Sequence, residues 1–566
     1  MYPLRIALVL IALLSAPATA LAQDKTPTAV GSGGAAATVD PLASQAAIDA
    51  LRDGGNAVDA AVAAAGVLGV TEPFSCGIGG GGFMVIRTPD GRVTTIDARE
   101  EAPAAMRPDS FFENGAVLPF EEARWSGLSA GVPGTVDGWQ HALRRYGSWS
   151  LGRALRAGID TARDGFVVDR TFASQTEPAV DWFNDVPSTA ALYLDPDGTP
   201  RDVGSVLRNP DLADTYRLIA RRGARAFYHG RLARETAEAA ADPPVAPGAN
   251  HAWRPGLMTP RDVRSYDAVE RPPTRVGYRG LDVYGMGPPS SGGSTVGEAL
   301  NILEGFKLDH LTRVQALHLF LEASRFSFAD RNAFLGDPDF VDVPLEELLS
   351  DRFAAERRAL IDPARAATSP VAPGEPGLET THLVVSDRKG TVVSYTFTIE
   401  STGGNGIVVP GRGFLLNNEL TDFNIDMPGH PNEPDGGKRP RSSMSPTIVL
   451  DDGRPFLAVG SPGGSMIITT VLQVLLERLD LGATLPQAIA SPRASQRNTA
   501  MTIAEPAFVS SPVGVELANA STYGHVFGTQ AEIGASTGIE FLGGKRVLAA
   551  AEPVRRGGGS AMVERP

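Results

Sequence analysis

Two patterns meet in this chain, and where they meet constrains the fold more than any other feature. Between residues 41 and 360, apolar residues recur mainly at helical spacing. The segments 41–51, 56–68, 134–146, 151–163, 212–222, 232–241, 295–303, 314–328 and 345–360 read as helices. Two β-hairpins interrupt them: 83–97, turning at Pro89-Asp90-Gly91, and 275–286. Residues 242–260 are rich in Pro and Gly and read as a loop. A short Pro/Gly-rich connector follows at 370–378. After it the strand patterns 381–386, 391–399, 413–416, 447–450 and 539–548 dominate, with one strongly apolar helix at 467–479. A helix-rich part therefore meets a strand-rich part near residue 379. Helices and strands in blocks, without regular strand–helix–strand alternation, predict an α+β fold in layers.

Charge and cysteine narrow the function classes. Lys and Arg total 51 against 65 Asp and Glu, a net charge of −14. No large phosphate-neutralising surface is expected, which excludes nucleic acid as a partner. The single cysteine, Cys76, excludes a disulfide framework and any Cys-rich metal site. Set in Ser75-Cys76-Gly77, it reads as packing. The N-terminus carries Arg5, an apolar run over 6–14 and Ala20-Leu21-Ala22 before Gln23. This is the pattern of a signal peptide, 1–22. The run is shorter than the roughly 20 residues of a membrane span. The expectation is an exported protein, periplasmic or secreted, without a stable membrane anchor.

Two tempting motifs fail on context. Gly77-x-Gly79-x-x-Gly82 matches a dinucleotide fingerprint, but a helix precedes it and a strand follows, the reverse of what that turn requires. Its glycines read instead as allowing tight backbone packing. Gly127-Leu-Ser129-Ala-Gly131 has the nucleophile-elbow spacing, yet a polar lead-in precedes it and Pro133-Gly134 follows. His382 sits in a strand pattern and reads as structural.

The chemistry gathers after the connector. Glu379-Thr380-Thr381-His382 opens the first strand of the second part. Threonine is a weak nucleophile unless its own α-amine serves as base, which requires a free N-terminus at that residue. Two threonines at a strand start also follow from β-propensity alone. Gly460-Ser-Pro-Gly463-Gly464-Ser465 lies between an apolar strand and a helix. Backbone N–H groups there can face a developing oxyanion, and a strand–helix turn needs the same glycines. Further polar groups stand in 417–423, in 441–446 and in Asp97-Ala-Arg99-Glu-Glu101. Arg99 suits either a solvated rim or a bidentate carboxylate clamp.

Taken together, these runs resemble the γ-glutamyltransferases (γ-glutamyl transpeptidases) of the N-terminal-nucleophile hydrolases. The likeness covers nearly the whole chain after residue 22. Its carriers are Asp53-Gly-Gly-Asn-Ala-Val-Asp-Ala-Ala-Val62, 77–83, Asp97-Ala-Arg-Glu100, Gly131-Val-Pro-Gly134, Pro288-Pro-Ser-Ser-Gly-Gly293, Thr380-Thr-His382, 415–423, 439–447 and 460–470. The resemblance implies a four-layer αββα sandwich made by one precursor. Self-cleavage between Glu379 and Thr380 would give a large chain, 23–379, and a small chain, 380–566, which stay together as a heterodimer. Thr380 would be the nucleophile, Thr398 its hydrogen-bond partner, and Gly463 and Gly464 the oxyanion-hole amides. Arg99, helped by Ser442 and Ser443, would clamp the donor's α-carboxylate. Glu400, Glu419 and Asp422 would hold its α-ammonium.

The implied activity is transfer or hydrolysis of the γ-glutamyl group of glutathione and related donors, with amino acids, dipeptides or water as acceptors and no cofactor. The rival on the same scaffold is a cephalosporin or glutaryl side-chain acylase. Some relatives carry Asn and Gln where this chain has Glu400 and Glu419. The segment 423–438 is short and lacks an aromatic lid residue, which predicts an open cleft admitting large γ-glutamyl substrates and water. A Val is inserted in Glu552-Pro-Val-Arg-Arg-Gly-Gly-Gly559.

Overall fold

The computed structural model describes residues 25–367 and 380–566. The leader 1–22, the connector 370–378 and Glu379 lie outside the described residues. A single hydrogen-bonded sheet of 13 strands runs through the described residues. Its pivot is Thr28–Thr38. Residues 28–32 of this strand pair with 546–550, while 35–37 pair with 384–386 and with 561–563. Gly33 lies at the change of partner with φ +92°, a conformation that needs glycine, and the register shifts there. The strand thus crosses from one layer to a second.

One layer contains, in order, Val93–Ala98, Gly81–Arg87, Val392–Thr398 and Thr381–Ser386. The other contains Arg546–Ala551, Thr537–Gly543, Arg454–Gly460, Thr447–Asp451, Leu281–Gly285 and Thr274–Tyr278. Side chains alternate along each strand, so both faces of a doubly covered layer must be apolar. That is observed. Met84, Ile86, Leu383 and Val385 pack with the helices Pro41–Arg52 and Ala57–Thr71. Phe83, Val85 and Val384 turn the other way, to join Ile448, Val459 and Ile539 of the second layer. Beyond that layer lie the helices Gly292–Glu304, Arg313–Phe334 and Met466–Leu479. The result is helix, sheet, sheet, helix, as the resemblance implied.

The helices form where the sequence predicts them, for identifiable reasons. Asn56 and Asp59 make a reciprocal capping box at the start of Ala57–Thr71, and Thr312 and Gln315 make one at Arg313–Phe334. Two predicted helices are divided. The segment 151–163 breaks into Leu151–Ala154 and Arg156–Asp164. The segment 345–360 breaks at Ser350, whose hydroxyl caps Asp351–Arg358. The predicted strand 413–416 makes only an isolated bridge, Val408 to Leu415.

The two sequence blocks are not two structural blocks. Gly81–Arg87 pairs along its length with Val392–Thr398, and Leu281–Gly285 pairs with Thr447–Asp451. Segments before and after residue 379 therefore share both ladders and both cores. Cys76 is buried with its thiol pushed well up by burial, the state of an inert packing cysteine. Among the described residues, no helix is long and apolar enough to cross a membrane.

Candidate active site

Thr381 pairs with Phe397 across the Thr381–Ser386 and Val392–Thr398 strands. Continuing that register by one residue sets Thr380 opposite Thr398. Both are buried, and both line a cleft of about 360 Å³. The glycine run at 77–82 explains how the strands come so close. A Cβ on Gly80 would lie 1.9 Å from the Thr398 carbonyl oxygen, and one on Gly79 would lie 1.9 Å from that of Leu415. These glycines are required by contact, as the sequence suggested, and not by any cofactor.

Thr380 is also held from behind. Its carbonyl accepts a 2.7 Å hydrogen bond from Arg556 Nη1, and Arg556 Nη2 donates to Ser75 Oγ at 2.7 Å. Glu72 faces the same guanidinium at 3.7 Å. Arg556 adopts φ 54°, a left-handed conformation uncommon for a long side chain. Sequence reasoning noted the run 552–559 only for its inserted Val. The Arg-Arg-Gly-Gly-Gly stretch was the available signal for this residue.

Across the cleft, Arg454–Gly460 ends in a turn that starts the helix Met466–Leu479. Gly463 and Gly464 have φ of +129° and +53°. Their carbonyls accept from Met466 and Ile467, while among the described residues neither of their N–H groups has an acceptor. Gly464 and Ser465 line the cleft with Thr380, whereas Gly463 precedes them in the turn and is not one of the lining residues. Two amides beside a helix N-terminus form the kind of donor pair that stabilises an oxyanion.

The third wall carries the charges. Arg99 follows Val93–Ala98 and is 1% exposed. Its Nε donates to Pro440 O at 3.0 Å and its Nη2 to Arg441 O at 3.2 Å. Nη1 bonds Glu419 Oε1, and Nη2 bonds Asp422 Oδ2 at 2.5 Å. The residues expected to divide between anion and cation binding are thus joined in one network. Arg99 and the two acids meet directly, because Glu419–Asp422 forms a short 3₁₀ turn against the end of the Arg99 strand. Ser442 Oγ accepts from Met444 N at 3.1 Å, and Ser443 Oγ accepts from Arg331 Nη2 at 2.7 Å. Both serines line the cleft beside Arg99. Glu400, at φ 76°, takes hydrogen bonds on Oε2 from Ser401 Oγ at 2.5 Å and from Asn418 Nδ2. Its own N–H donates to Thr398 Oγ1 at 2.8 Å, linking the charge site to the threonine pair.

Burial sets the protonation of this wall. It pushes the Glu400 carboxyl up to about 8, with Asp422 and Glu419 adding repulsion. It raises Glu419 well above the carboxylate range despite Arg99, and Glu100 to about 7. Both Glu100 oxygens and Glu419 Oε2 are buried with no hydrogen-bond partner among the described residues. Burial opposes the Arg99 charge, but Glu419, Asp422 and Glu100 outweigh it and hold the guanidinium protonated. Near neutral pH the wall therefore holds a fixed guanidinium and several carboxyls poised to ionise. An incoming ammonium would draw them into the charged form.

Other sequence expectations resolve simply. His382 is buried, bonded to Thr396 Oγ1 at 2.7 Å and pushed down to about 3 by burial, a neutral core histidine. Ser129 Oγ donates to Arg124 O and Ser126 O, so it serves its loop. Asn417 went unnoticed as a positioning residue. Its amide donates to Gly79 O and Gly131 O, and its oxygen accepts from Gly131 N and Glu419 N. The short segment 423–438 folds back along the cleft. There Asn432 donates to Asp422 O at 2.7 Å and accepts from Arg441 N at 2.7 Å.

Comparison with known proteins agrees with this geometry. The family model for gamma-glutamyltranspeptidase matches residues 43–562. A glutathione hydrolase proenzyme of Bacillus subtilis is 40% identical over 492 residues, covering 82% of this chain and 81% of that protein. An acylase ACY 1 proenzyme of Pseudomonas sp. strain V22 is 37% identical over 481 residues, covering 83% of each. The crystal structure of a cephalosporin acylase from Bacillus halodurans superposes with a TM-score of 0.84 at 29% identity, over 98% of this chain and 99% of that one.

Proposed function

Because this chain belongs to the gamma-glutamyltranspeptidase family of hydrolases and transferases, we propose that it moves γ-glutamyl groups through an acyl-enzyme on Thr380. The precursor cleaves itself between Glu379 and Thr380, and this frees the Thr380 α-amine. That amine takes the Oγ proton as Oγ attacks the γ-carbonyl, and the oxyanion is held by the Gly463 and Gly464 amides. Collapse expels the leaving amine, which receives the proton, and leaves a γ-glutamyl ester on Thr380. Water, an amino acid or a dipeptide then attacks the ester, giving glutamate or a new γ-glutamyl amide. Glutathione is the donor this reading favours, and the leader 1–22 directs the protein to the periplasm or the medium. The chains 23–379 and 380–566 remain associated through the shared ladders.

The observation that carries the reading is the network of Arg99 with Glu419 and Asp422, in one cleft with Glu400 and Thr380. An α-amino acid head carries one anion and one cation, and this wall offers both complements. Fixing both charges sets the carbonyl before the nucleophile. The likeness to cephalosporin acylase supports a second reading, cleavage of a glutaryl side chain. A glutaryl group has no ammonium to meet those acids. Steady-state rates with γ-glutamyl-4-nitroanilide and glutaryl-4-nitroanilide separate the two. The γ-glutamyl donor is expected to have the higher kcat/KM by at least about tenfold, the worth of one charge-assisted contact. A preference for the glutaryl donor would reverse the assignment.

A further inference from the structure

The cleft holds more positive charge than a glutamyl head can use. Arg331, Arg441 and Arg497 all line it, apart from Arg99. Arg331 is buried and bonds only neutral groups: Ser291 Oγ at 2.8 Å, Asn332 Oδ1 at 2.9 Å and Ser443 Oγ at 2.7 Å. Arg441 is buried as well, and donates to Arg331 O and Leu335 O at 3.3 Å and to Asn424 Oδ1 at 3.3 Å. Arg497 Nη1 donates to Ser465 Oγ, next to the Gly463–Gly464 turn. The Nε groups of Arg441 and Arg497 are buried and have no acceptor among the described residues. No described carboxylate forms a salt bridge with any of the three. Asp422 is the acid that Arg331 and Arg441 feel, and it is bonded to Arg99; Asp426 lines the cleft and pairs with none of the three.

Buried guanidiniums without counter-ions are costly unless an anion joins them. Burial pushes Arg441 down to about 10 and lowers Arg331 well below its usual range, with Arg441 adding to the repulsion. Arg331 and Arg441 are such groups, half-buried Arg497 stands in the same wall, and the unused Nε donors of Arg441 and Arg497 suit a bidentate anion.

We infer that Arg331, Arg441 and Arg497 form a second carboxylate subsite, which takes an acidic group carried by the donor's leaving amine or by the acceptor. This rests on the γ-glutamyl reading for the identity of the reaction. The preferred substrates are then γ-glutamyl compounds whose departing or incoming amine is itself an acid, such as an acidic amino acid or a γ-linked glutamyl chain. The contact of Arg497 with Ser465 puts that arginine beside the Gly463–Gly464 turn, while Arg331, bonded to Ser443, lies toward the glutamyl end of the cleft.

The test compares γ-glutamyl-4-nitroanilide with γ-glutamyl-3-carboxy-4-nitroanilide, identical but for one carboxylate on the leaving group. In wild type the carboxylated donor is expected to have the higher kcat/KM. In Arg497→Gln and Arg441→Leu the ratio of the two values is expected to fall about ten- to a hundredfold, the loss of one or two charge-assisted bonds. Arg441→Lys, which keeps the charge, should recover part of the ratio. An unchanged ratio overturns the proposal, and so does an equal loss with both donors, which would assign the cluster to the α-carboxylate. Titration of wild type and Arg497→Gln with succinate by calorimetry needs no turnover. Binding weakened at least about tenfold by the substitution supports the subsite, and equal or absent binding overturns it. Failure of wild type to cleave either anilide would count against the γ-glutamyl reading alone, since the succinate titration decides the subsite independently.

Discussion

Replacing Gly80 by alanine tests how the fold seats the nucleophile. The added Cβ would stand 1.9 Å from the Thr398 carbonyl oxygen, where ordinary contact begins at 3.4 Å. Both partners are backbone, so neither can rotate away. The Gly80 loop and the Thr398 strand end must part by about 1.5 Å. Thr398 stands opposite Thr380 in the ladder, and Thr398 Oγ1 anchors the Glu400 amide. A shift of that size reaches the threonine pair and the charge wall together. Misplacement by about 1 Å costs roughly 10² in rate, and overpacking of this kind costs about 1–3 kcal/mol of stability. We expect kcat on γ-glutamyl-4-nitroanilide to fall about a hundredfold, with a lowered melting temperature and an unchanged far-ultraviolet circular dichroism spectrum. Gly77→Ala is the control. It lies in the same loop, outside the positive-φ glycines, and its Cβ would meet nothing within 4 Å. It should behave as wild type. If Gly80→Ala keeps kcat within a factor of about three, the positioning argument is refuted.

Two further outcomes follow from the same geometry. Arg556→Met removes the donors to Thr380 O and Ser75 Oγ and should lower kcat about tenfold or more with little change in KM, while Arg556→Lys recovers part of the loss; stopped assays over a donor range read this directly. Glu400 gives a pH signature in the ligand-free protein. Its folded carboxyl lies at about 8 against 4.5 for an ordinary glutamate, because of burial and of Asp422 and Glu419, with Ser401 and Arg124 opposing. The folded state then binds more protons than the unfolded state between these values. The contribution is fully present below the lower value and is lost as pH rises through the upper. Melting temperature should therefore decline from about pH 5 to above pH 8, and Glu400→Gln should flatten that decline; Glu100 and Glu72, each raised to about 7 by burial, act in the same direction.

Much of this was legible before any coordinates, for local reasons. Capping boxes at Asn56 and Thr312 and the turn at Pro89-Asp90-Gly91 are encoded in a few adjacent residues, and those elements stand where the sequence put them. What escaped was non-local. The pivot strand Thr28–Thr38 is built of Gly, Ala, Ser and Thr with one Val, so it has little strand signal; it forms because three other strands flank it. The division into a helix-rich and a strand-rich part was real in composition. It dissolved in space, because Gly81–Arg87 finds its partner some 300 residues later. Within the site, residue types pointed to chemistry at Thr380, Arg99 and the glycine turn. The joining of Arg99 to Glu419 and Asp422, the support of Thr380 by Arg556 and the unpaired arginine cluster all depend on segments far apart in sequence. Spacing along the chain carries no trace of them.

The central claim is that Thr380 becomes a chain terminus and then the nucleophile. N-terminal sequencing of purified protein, wild type beside Thr380→Ala, tests it most directly. The account predicts a second N-terminus beginning Thr380-Thr381-His382 in the active wild type, and a single uncut precursor without γ-glutamyl activity in the variant. A wild-type protein that cleaves γ-glutamyl donors as one intact chain would contradict it.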